Sequence, residues 1–126
     1  MLQRIRGYLE TAAPTRIIND RTGDQITDWT TPIEDAYTDR GEARAFYNLD
    51  YTMGVTHSGM LLCAEVTGDK AFTDFTARHL QFIADALPYF RAQGEKFNKG
   101  RRGAFRAILH TESLDDSGSM CAALIK

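Results

Sequence analysis

The feature that most constrains the fold is a strongly apolar segment, Leu49 to Val66, which a short turn joins to an amphipathic segment. The apolar residues of Leu49–Val66 fall on nearly all sides of a helix, and such a helix is typically buried in a larger helical structure. Gly68 suits the left-handed end of this helix, and Asp69 suits the N-cap of the next one. The second segment carries an apolar stripe at helical spacing, formed by Phe72, Phe75, His79, Phe82, Ile83, Ala86 and Phe90. We therefore expect an antiparallel αα-hairpin, in which small residues such as Gly54 and Gly59 let a neighbouring helix approach closely.

Three regions are expected along the chain. Residues 1–14 have the pattern of a short amphipathic helix that ends before Pro14. Residues 15–47 indicate a long, irregular, acid-rich connection, to which the local pattern assigns no chemistry. Residues 48–126 carry the predicted hairpin and a further helix.

The second helix of the hairpin is followed by a basic, glycine-punctuated segment. Pro88 is expected to kink or end that helix, because proline lacks the backbone N–H and clashes with the preceding turn. Ala92–Arg106 then predicts a loop. This loop is either a solvated connection or a lip that attracts an anionic substrate.

The C-terminal segment combines a capping pattern, a pair of acids and an apolar run. Ser113 can cap a helix, and Asp116 takes the position of the returning carboxylate in a capping box. Asp115 and Asp116 both fall in the first turn, where the helix dipole stabilises negative charge. The apolar run Met120–Ile125 predicts a buried helix, so its two acids either cap it or point one carboxylate into a cavity.

Composition narrows the function classes. With 126 residues, 43% hydrophobic content and a formal net charge of −2, the chain has an ordinary globular composition without the basic surplus of a nucleic-acid-binding protein. No apolar run approaches the roughly 20 residues of a membrane helix. The first residues lack the apolar core of a signal peptide, while localisation and oligomeric state stay open. Cys63 and Cys121 have no metal-binding spacing and are expected to be buried free thiols.

The order of the elements indicates an array of helical hairpins. A hairpin, a basic loop and a fresh apolar helix follow one another, which is typical of such arrays. The last helix reaches Lys126 without a C-cap. We therefore expect residues 1–126 to be the N-terminal portion of one larger domain.

Two stretches of the chain carry a resemblance to a known family. Tyr51 to Phe75, YTMGVTHSGMLLCAEVTGDKAFTDF, resembles a first inner helix and its turn, and Ser113 to Leu124, SLDDSGSMCAAL, resembles the aspartate-bearing start of the next inner helix. Both occur in this order in the unsaturated glucuronyl and rhamnogalacturonyl hydrolases, glycoside hydrolase families 88 and 105. Arg78–Ala92 fits the outer helix between them, so the resemblance covers roughly residues 45–126.

The resemblance implies an all-α fold and an unusual reaction. The family fold is an (α/α)6 barrel, and the reaction uses no metal or organic cofactor. Its substrates are oligosaccharides with an unsaturated uronic acid at the non-reducing end, as left by polysaccharide lyases acting on pectin or a related polymer. A carboxylic acid protonates the C4=C5 double bond, water adds at C5, and the resulting hemiketal collapses to release the sugar. Most glycosidases instead attack the anomeric carbon with two carboxylates.

The resemblance also implies which residues act. Of the two aspartates important in the family, the earlier one matches Asp116, with Asp115 as the second choice. An acid at a helix N-terminus suits hydrogen bonding to the sugar and is a poor proton donor. The general acid is therefore expected after Lys126, and the chain alone is expected to be inactive.

Four further residues are candidates for substrate binding. His110 precedes the acid pair, His57 lies on the apolar helix, Asp50 precedes that helix, and Trp29 has an aromatic face on which a sugar can stack. For His57 a hydrogen-bonded core residue is the default interpretation, and for His110 a structural role explains the residue at least as well. Two other functions stay open: a sugar epimerase or isomerase of the α/α-barrel type, which would use histidine bases, and a non-enzymatic helical scaffold or sugar-binding module in which the acids only cap a helix.

Overall fold

The chain folds mostly into helices, with one small sheet. The computed structural model describes residues 1–42, 44, 46, 47, 49–111 and 113–125. Two groups of elements follow in chain order. The N-terminal group comprises α1 (Leu2–Ala12), β1 (Ile17–Asn19), β2 (Gln25–Ile26) and β3 (Ala36–Thr38). The helical group comprises α2 (Tyr51–Thr67), α3 (Lys70–Phe97), a 3-10 turn (Gly100–Arg102), α4 (Arg106–Leu109) and α5 (Leu114–Ile125).

Capping residues define the hairpin of α2 and α3, which the sequence predicts. The Asp50 carboxylate accepts a hydrogen bond from the Met53 N–H at 2.9 Å and so caps α2. Gly68 ends α2 with φ 70°, in the left-handed region that glycine adopts without steric cost. Asp69 caps α3 by accepting from the Ala71 N–H at 3.0 Å. The turn between the helices is therefore too short for any arrangement except an antiparallel one.

Pro88 does not end α3, so of the two predicted outcomes, an end or a kink, the first is wrong. The helix continues for 28 residues, from Lys70 to Phe97. Pro88 removes the N–H that would bond the Ala84 carbonyl, but both residues are exposed, so that water can bond this carbonyl. The predicted basic loop from Ala92 to Arg106 is consequently helical at its start and carries the 3-10 turn further on.

The segment from residue 15 to residue 47, expected to be irregular, contains the three strands, so the expectation is wrong for these residues. The strands form an antiparallel sheet in the order β2-β1-β3, with Ile17 opposite both Ile26 and Thr38. Ile17, Ile26 and Ala36 are buried in the main core. Strands of two or three residues are too short to produce the alternating pattern by which a sequence indicates a strand.

Two apolar clusters hold the elements together. The main cluster joins the sheet to the helices through residues such as Ile17, Met53, Phe82, Phe90 and Met120. The smaller one fixes α1 to the hairpin and consists of Leu9, Met60, Phe72 and Phe75. Within the described residues, no helix is both long and apolar enough to cross a membrane.

Helices α2 and α5 lie side by side and run in the same direction. Tyr51 meets Asp116 and Gly54 meets Ser119, and each pair is separated by 65 residues along the chain (116 − 51 and 119 − 54). A constant separation means that both helices advance together, so they are parallel and their N-termini are neighbours. A Cβ on Gly54 would lie 2.6 Å from the Ser119 carbonyl carbon, which confirms the predicted close approach of a helix at this glycine.

Both α2 and α5 expose apolar residues, although the sequence predicts that they are buried. Only part of each helix is covered, because α2 packs against α3 and α5, and α5 packs against α2 and α4. Leu124 is one of the exposed residues and lies apart from the others; these others, which we call the apolar face, are Tyr51, Val55, Leu62, Val66, Leu114 and Ile125. Each residue of an α-helix is turned by about 100° from the one before it. With the Gly54–Ser119 contact as the starting point, the α2 and α5 members of the apolar face lie on the same side of the helix pair, away from α3.

Candidate functional site

The candidate site lies where the N-termini of α2 and α5 meet. The Asp116 side chain accepts a hydrogen bond at Oδ1 from the Tyr51 N–H, at 3.0 Å. Tyr51 is the first residue of α2, and its N–H has no partner within that helix. Asp116 therefore caps the neighbouring helix, and its negative charge stands near two positive helix ends.

Asp116 forms only part of the predicted capping box. Its N–H donates to Ser113 Oγ at 3.4 Å, so Ser113 caps α5 as expected, through a long bond. The Asp116 carboxylate bonds Tyr51 rather than closing the box. This long-range contact joins the N-termini of α2 and α5, which the local sequence patterns treat independently.

Asp115 lies in the same first turn of α5 but is exposed. The 3.6-residue repeat turns it away from Asp116 and toward the side of the apolar face. Asp50 completes the junction, with its carboxylate accepting from Thr52 Oγ1 at 2.8 Å and from the Met53 N–H. Asp50 and Asp116 thus bond the first residues of α2, Asp115 lies in the neighbouring first turn of α5, and the Tyr51 ring is exposed.

This junction is suited to a hydroxyl-rich ligand. Carboxylates accept hydrogen bonds from hydroxyl groups, and an exposed aromatic ring provides an apolar surface for a sugar ring. Asp115 is free of the capping role of Asp116, so it is the acid best able to contact a ligand. Within the described residues, no three His, Cys, Asp or Glu side chains converge as a metal-binding group.

The structure does not bring His110 and Trp29 into contact with the acid pair. His110 is exposed after α4 and lines a separate surface cleft with Arg91 and Glu95. The Trp29 indole N–H donates to the Ile26 carbonyl at 3.0 Å, and its ring packs edge-on against Phe82. Trp29 therefore contributes to the core beside the sheet.

His57 is fully buried between α2 and α3, on the side of α2 that faces away from the apolar face. Its ring centroid lies 5.4 Å from that of His79 and 6.0 Å from that of Phe75. Neither ring nitrogen of His57 has a hydrogen-bond partner among the described residues. Burial, and secondarily the neighbouring His79, lower the pKa of His57 to about 4. A neutral imidazole without access to solvent is a core residue, so this position does not suit substrate binding.

His79 is the hydrogen-bonded member of this buried pair. Its ring nitrogens lie 3.0 Å from the carbonyl oxygens of Phe75 and Ala13. Burial lowers the pKa of His79, against the opposing effect of these two carbonyls. The contact with Ala13 attaches the end of α1 to α3, which gives this histidine a structural role.

An apolar cleft of about 450 Å³ lies between α3, α4 and α5, and sequence reasoning missed it. Asp116 also lines this cleft, and Ser117 beside it donates to the Ala107 carbonyl at 2.9 Å. Cys121, predicted to be a buried thiol, is exposed on the cleft wall. The apolar lining of the cleft includes Leu80, Ile83, Leu87, Ile108, Met120 and Leu124. Asp116 thus borders an apolar space on one side and α2 on the other.

Comparisons with protein-family models and with curated proteins identify no relative of this chain.

Proposed function

We propose that α2 and α5 are the first two inner helices of an (α/α)6 barrel that hydrolyses unsaturated uronyl residues of lyase-generated oligosaccharides. In this proposal α3 is the outer helix between them. The observation that carries the proposal is the parallel packing of α2 and α5 with an acid pair at their shared N-terminal end. Parallel inner helices with antiparallel outer ones are what such a barrel requires. The apolar face is then the surface that turns toward the inside of the ring.

The two acids have different roles in this proposal. Asp116 is a positioning residue, because its carboxylate holds the N-terminus of α2 against α5. Asp115 is exposed at the same end and accepts hydrogen bonds from sugar hydroxyl groups. This reverses the order in which the resemblance ranks the pair. Neither acid is the proton donor in this proposal, because the Asp116 carboxylate bonds the Tyr51 N–H and Asp115 accepts from the sugar.

Ligand binding tests this assignment more directly than turnover, since the proton donor is a different group. The measurement is calorimetric titration with a lyase-generated unsaturated disaccharide. We expect saturable binding by the wild-type protein and a loss of about tenfold in affinity for Asp115→Asn, because asparagine keeps an acceptor oxygen but replaces charge-assisted hydrogen bonds with weaker neutral ones. Asp74→Asn is the matched control, because Asp74 is an exposed acid on α3. Absence of binding across a panel of unsaturated uronides would refute the proposal.

A non-enzymatic scaffold is the second candidate, and one observation favours it. Asp116 already has a structural partner in the Tyr51 N–H, so the acid pair can be explained without any ligand. The scaffold function predicts that Asp116→Ala lowers stability while neither acid affects sugar binding. The same titration is repeated with Asp116→Ala at a temperature where this variant stays folded. Weaker sugar binding by the variant favours the hydrolase proposal, and unchanged sugar binding favours the scaffold.

A further inference from the structure

A third cleft, remote in sequence from the acid pair, opens between α1, β1 and the segment that follows β3. Its volume is about 790 Å³, which lies in the range of sites for small molecules. Three arginines line it, Arg16, Arg40 and Arg44. The proposed function leaves this cleft without a role.

Arg16 is fixed at the cleft by a buried acid. Its Nε donates to Asp39 Oδ2 at 2.6 Å, and Asp39 also accepts from the Gly41 N–H at 2.9 Å. Asp39 is only 8% exposed, whereas the Arg16 side chain is 52% exposed. Because the bond uses Nε, the two terminal nitrogens of this guanidinium can still donate to a ligand.

Arg40 and Arg44 share one carboxylate. Both donate to Asp20 Oδ1, Arg40 at a distance of 2.7 Å. Arg40 is held further by the Tyr37 ring, whose centroid is 4.9 Å from its guanidinium carbon, and its side chain is only 15% exposed. The Arg44 side chain is 59% exposed. One carboxylate facing two guanidinium groups leaves a local excess of positive charge beside Arg44.

Two more acids line the cleft, so its lining has four carboxylates against three arginines and no overall excess of positive charge. Glu10 is bonded to Arg6 at 2.5 Å, so its charge is already compensated. Glu42 is exposed at the rim, where solvent screens its charge. An anion is therefore recognised here by the exposed donor groups of Arg16 and Arg44 and not by the net charge of the cleft.

We propose that this cleft binds a small molecule bearing a carboxylate or phosphate group, with Arg16 and Arg44 donating hydrogen bonds to the anion. Asp39 and Asp20 orient the two guanidinium groups, whose planar donor pattern matches such anions. Thr11 and Tyr8 on α1 provide further polar and aromatic surface at the cleft for the rest of the ligand.

The test is a titration followed by two-dimensional ¹H–¹⁵N NMR at constant ionic strength, observing the Arg16 Nε–H signal and the backbone amides of residues 39–44. The probes are inorganic phosphate, glucuronate and, as the neutral control, glucose. We expect saturable shifts with phosphate, with glucuronate or with both, and the responding anion identifies the preferred group. Saturation by glucose to the same extent as glucuronate would overturn the anion proposal, as would the absence of saturation with either anion.

Matched variants show whether the arginines carry the binding. Arg44→Gln is expected to weaken anion binding about tenfold, while Arg4→Gln removes the same charge from an exposed position on α1 and leaves affinity unchanged. Equal losses of anion affinity in both variants would contradict the proposal, because binding would then depend on the net charge of the protein and not on Arg44. Glu42→Gln removes the rim acid and is expected to tighten binding roughly two- to fivefold. Because Glu42 is exposed, this variant keeps the test decisive even if Arg44→Gln fails to fold, and weaker binding by Glu42→Gln would overturn the proposal.

The cleft is independent of the proposed hydrolase function. A failed titration with unsaturated disaccharides at Asp115 leaves the prediction for Arg16 and Arg44 unchanged. Conversely, an unresponsive Arg16 signal leaves the acid pair unaffected.

Discussion

The Asp116 carboxylate accepts a hydrogen bond from the Tyr51 N–H at 3.0 Å, although 65 residues separate the two in the sequence. This single contact joins the starts of two parallel helices. It also explains why an acid pair at the start of α5 divides into a bonded member and an exposed one.

Replacing Asp116 is expected to destabilise the fold through α2 rather than through α5. Asp116→Ala removes the acceptor for the Tyr51 N–H, and loss of such a cap typically costs about 0.5–2 kcal/mol. Asp116→Asn keeps an acceptor oxygen and loses only the charge near the helix ends, so its cost should be smaller. Urea unfolding measures both free energies. Asp115→Ala serves as the exposed control, and a cost as large as that of Asp116→Ala would contradict the capping role.

A methyl group at Gly54 should be far more damaging than one at Gly59. A Cβ on Gly54 would meet Ser119 across the helix contact, whereas a Cβ on Gly59 meets nothing within 4 Å. We expect Gly54→Ala to cost roughly 1–3 kcal/mol by forcing α2 and α5 apart. Gly59→Ala should stabilise the protein by roughly 0.5–1 kcal/mol, because alanine favours the helix more than glycine does. Equal effects of the two substitutions on the thermal midpoint would argue against the close packing.

Acid should destabilise the protein through His57. Its pKa is lowered from 6.5 to about 4 in the folded chain, so between these pH values the unfolded chain binds more protons. Stability contributed by neutral His57 is therefore complete above pH 6.5 and is lost as the pH falls toward 4, by roughly 3 kcal/mol in total. His57→Leu should flatten this dependence without removing it, since His79 also has a lowered pKa. The assignment would be contradicted if the unfolding free energy of His57→Leu depended on pH between 7 and 4 as steeply as that of the wild type.

Gln93 is expected to be a principal attachment of the segment before β3. Its amide nitrogen donates to the carbonyls of Ile33, Glu34 and Ala36, at 2.8–3.1 Å, from a buried position on α3. Gln93→Met preserves the volume but removes the donor to these three carbonyls, of which the Ala36 bond is buried, at a cost of about 1–3 kcal/mol. Gln81→Met, at an exposed position of the same helix, should change stability by less than about 0.5 kcal/mol. Chemical denaturation of the two variants provides the comparison.

The sequence could predict what local rules determine. Asp69 as a cap and Gly68 as a helix end depend only on neighbouring residues, and the hairpin follows from them. The short sheet was missed because its burial is decided by contacts with distant helices. The bond between Asp116 and Tyr51 was missed for the same reason, since a capping box and a cap for another helix have the same local pattern.

Pro88 illustrates the opposite error. A strong local signal predicts a break or kink, yet packing of the apolar stripe along α3 continues on both sides of it, at Ala86 and at Phe90. Because Pro88 lies on the exposed side, the lost hydrogen bond is accessible to water, and the tertiary contacts of the helix prevail. Similarly, the apolar face could be predicted as apolar but not as exposed, because exposure depends on which neighbours surround a helix.

The central claim is that the junction of α2 and α5 binds an unsaturated uronide through Asp115. The most direct measurement is a ¹H–¹⁵N NMR titration with a lyase-generated unsaturated disaccharide, following the backbone amides of Tyr51, Asp115 and Asp116. The account predicts saturable shifts at these amides in the wild type and their loss in Asp115→Asn. Saturable shifts confined to other parts of the chain, or none at any concentration, would contradict it.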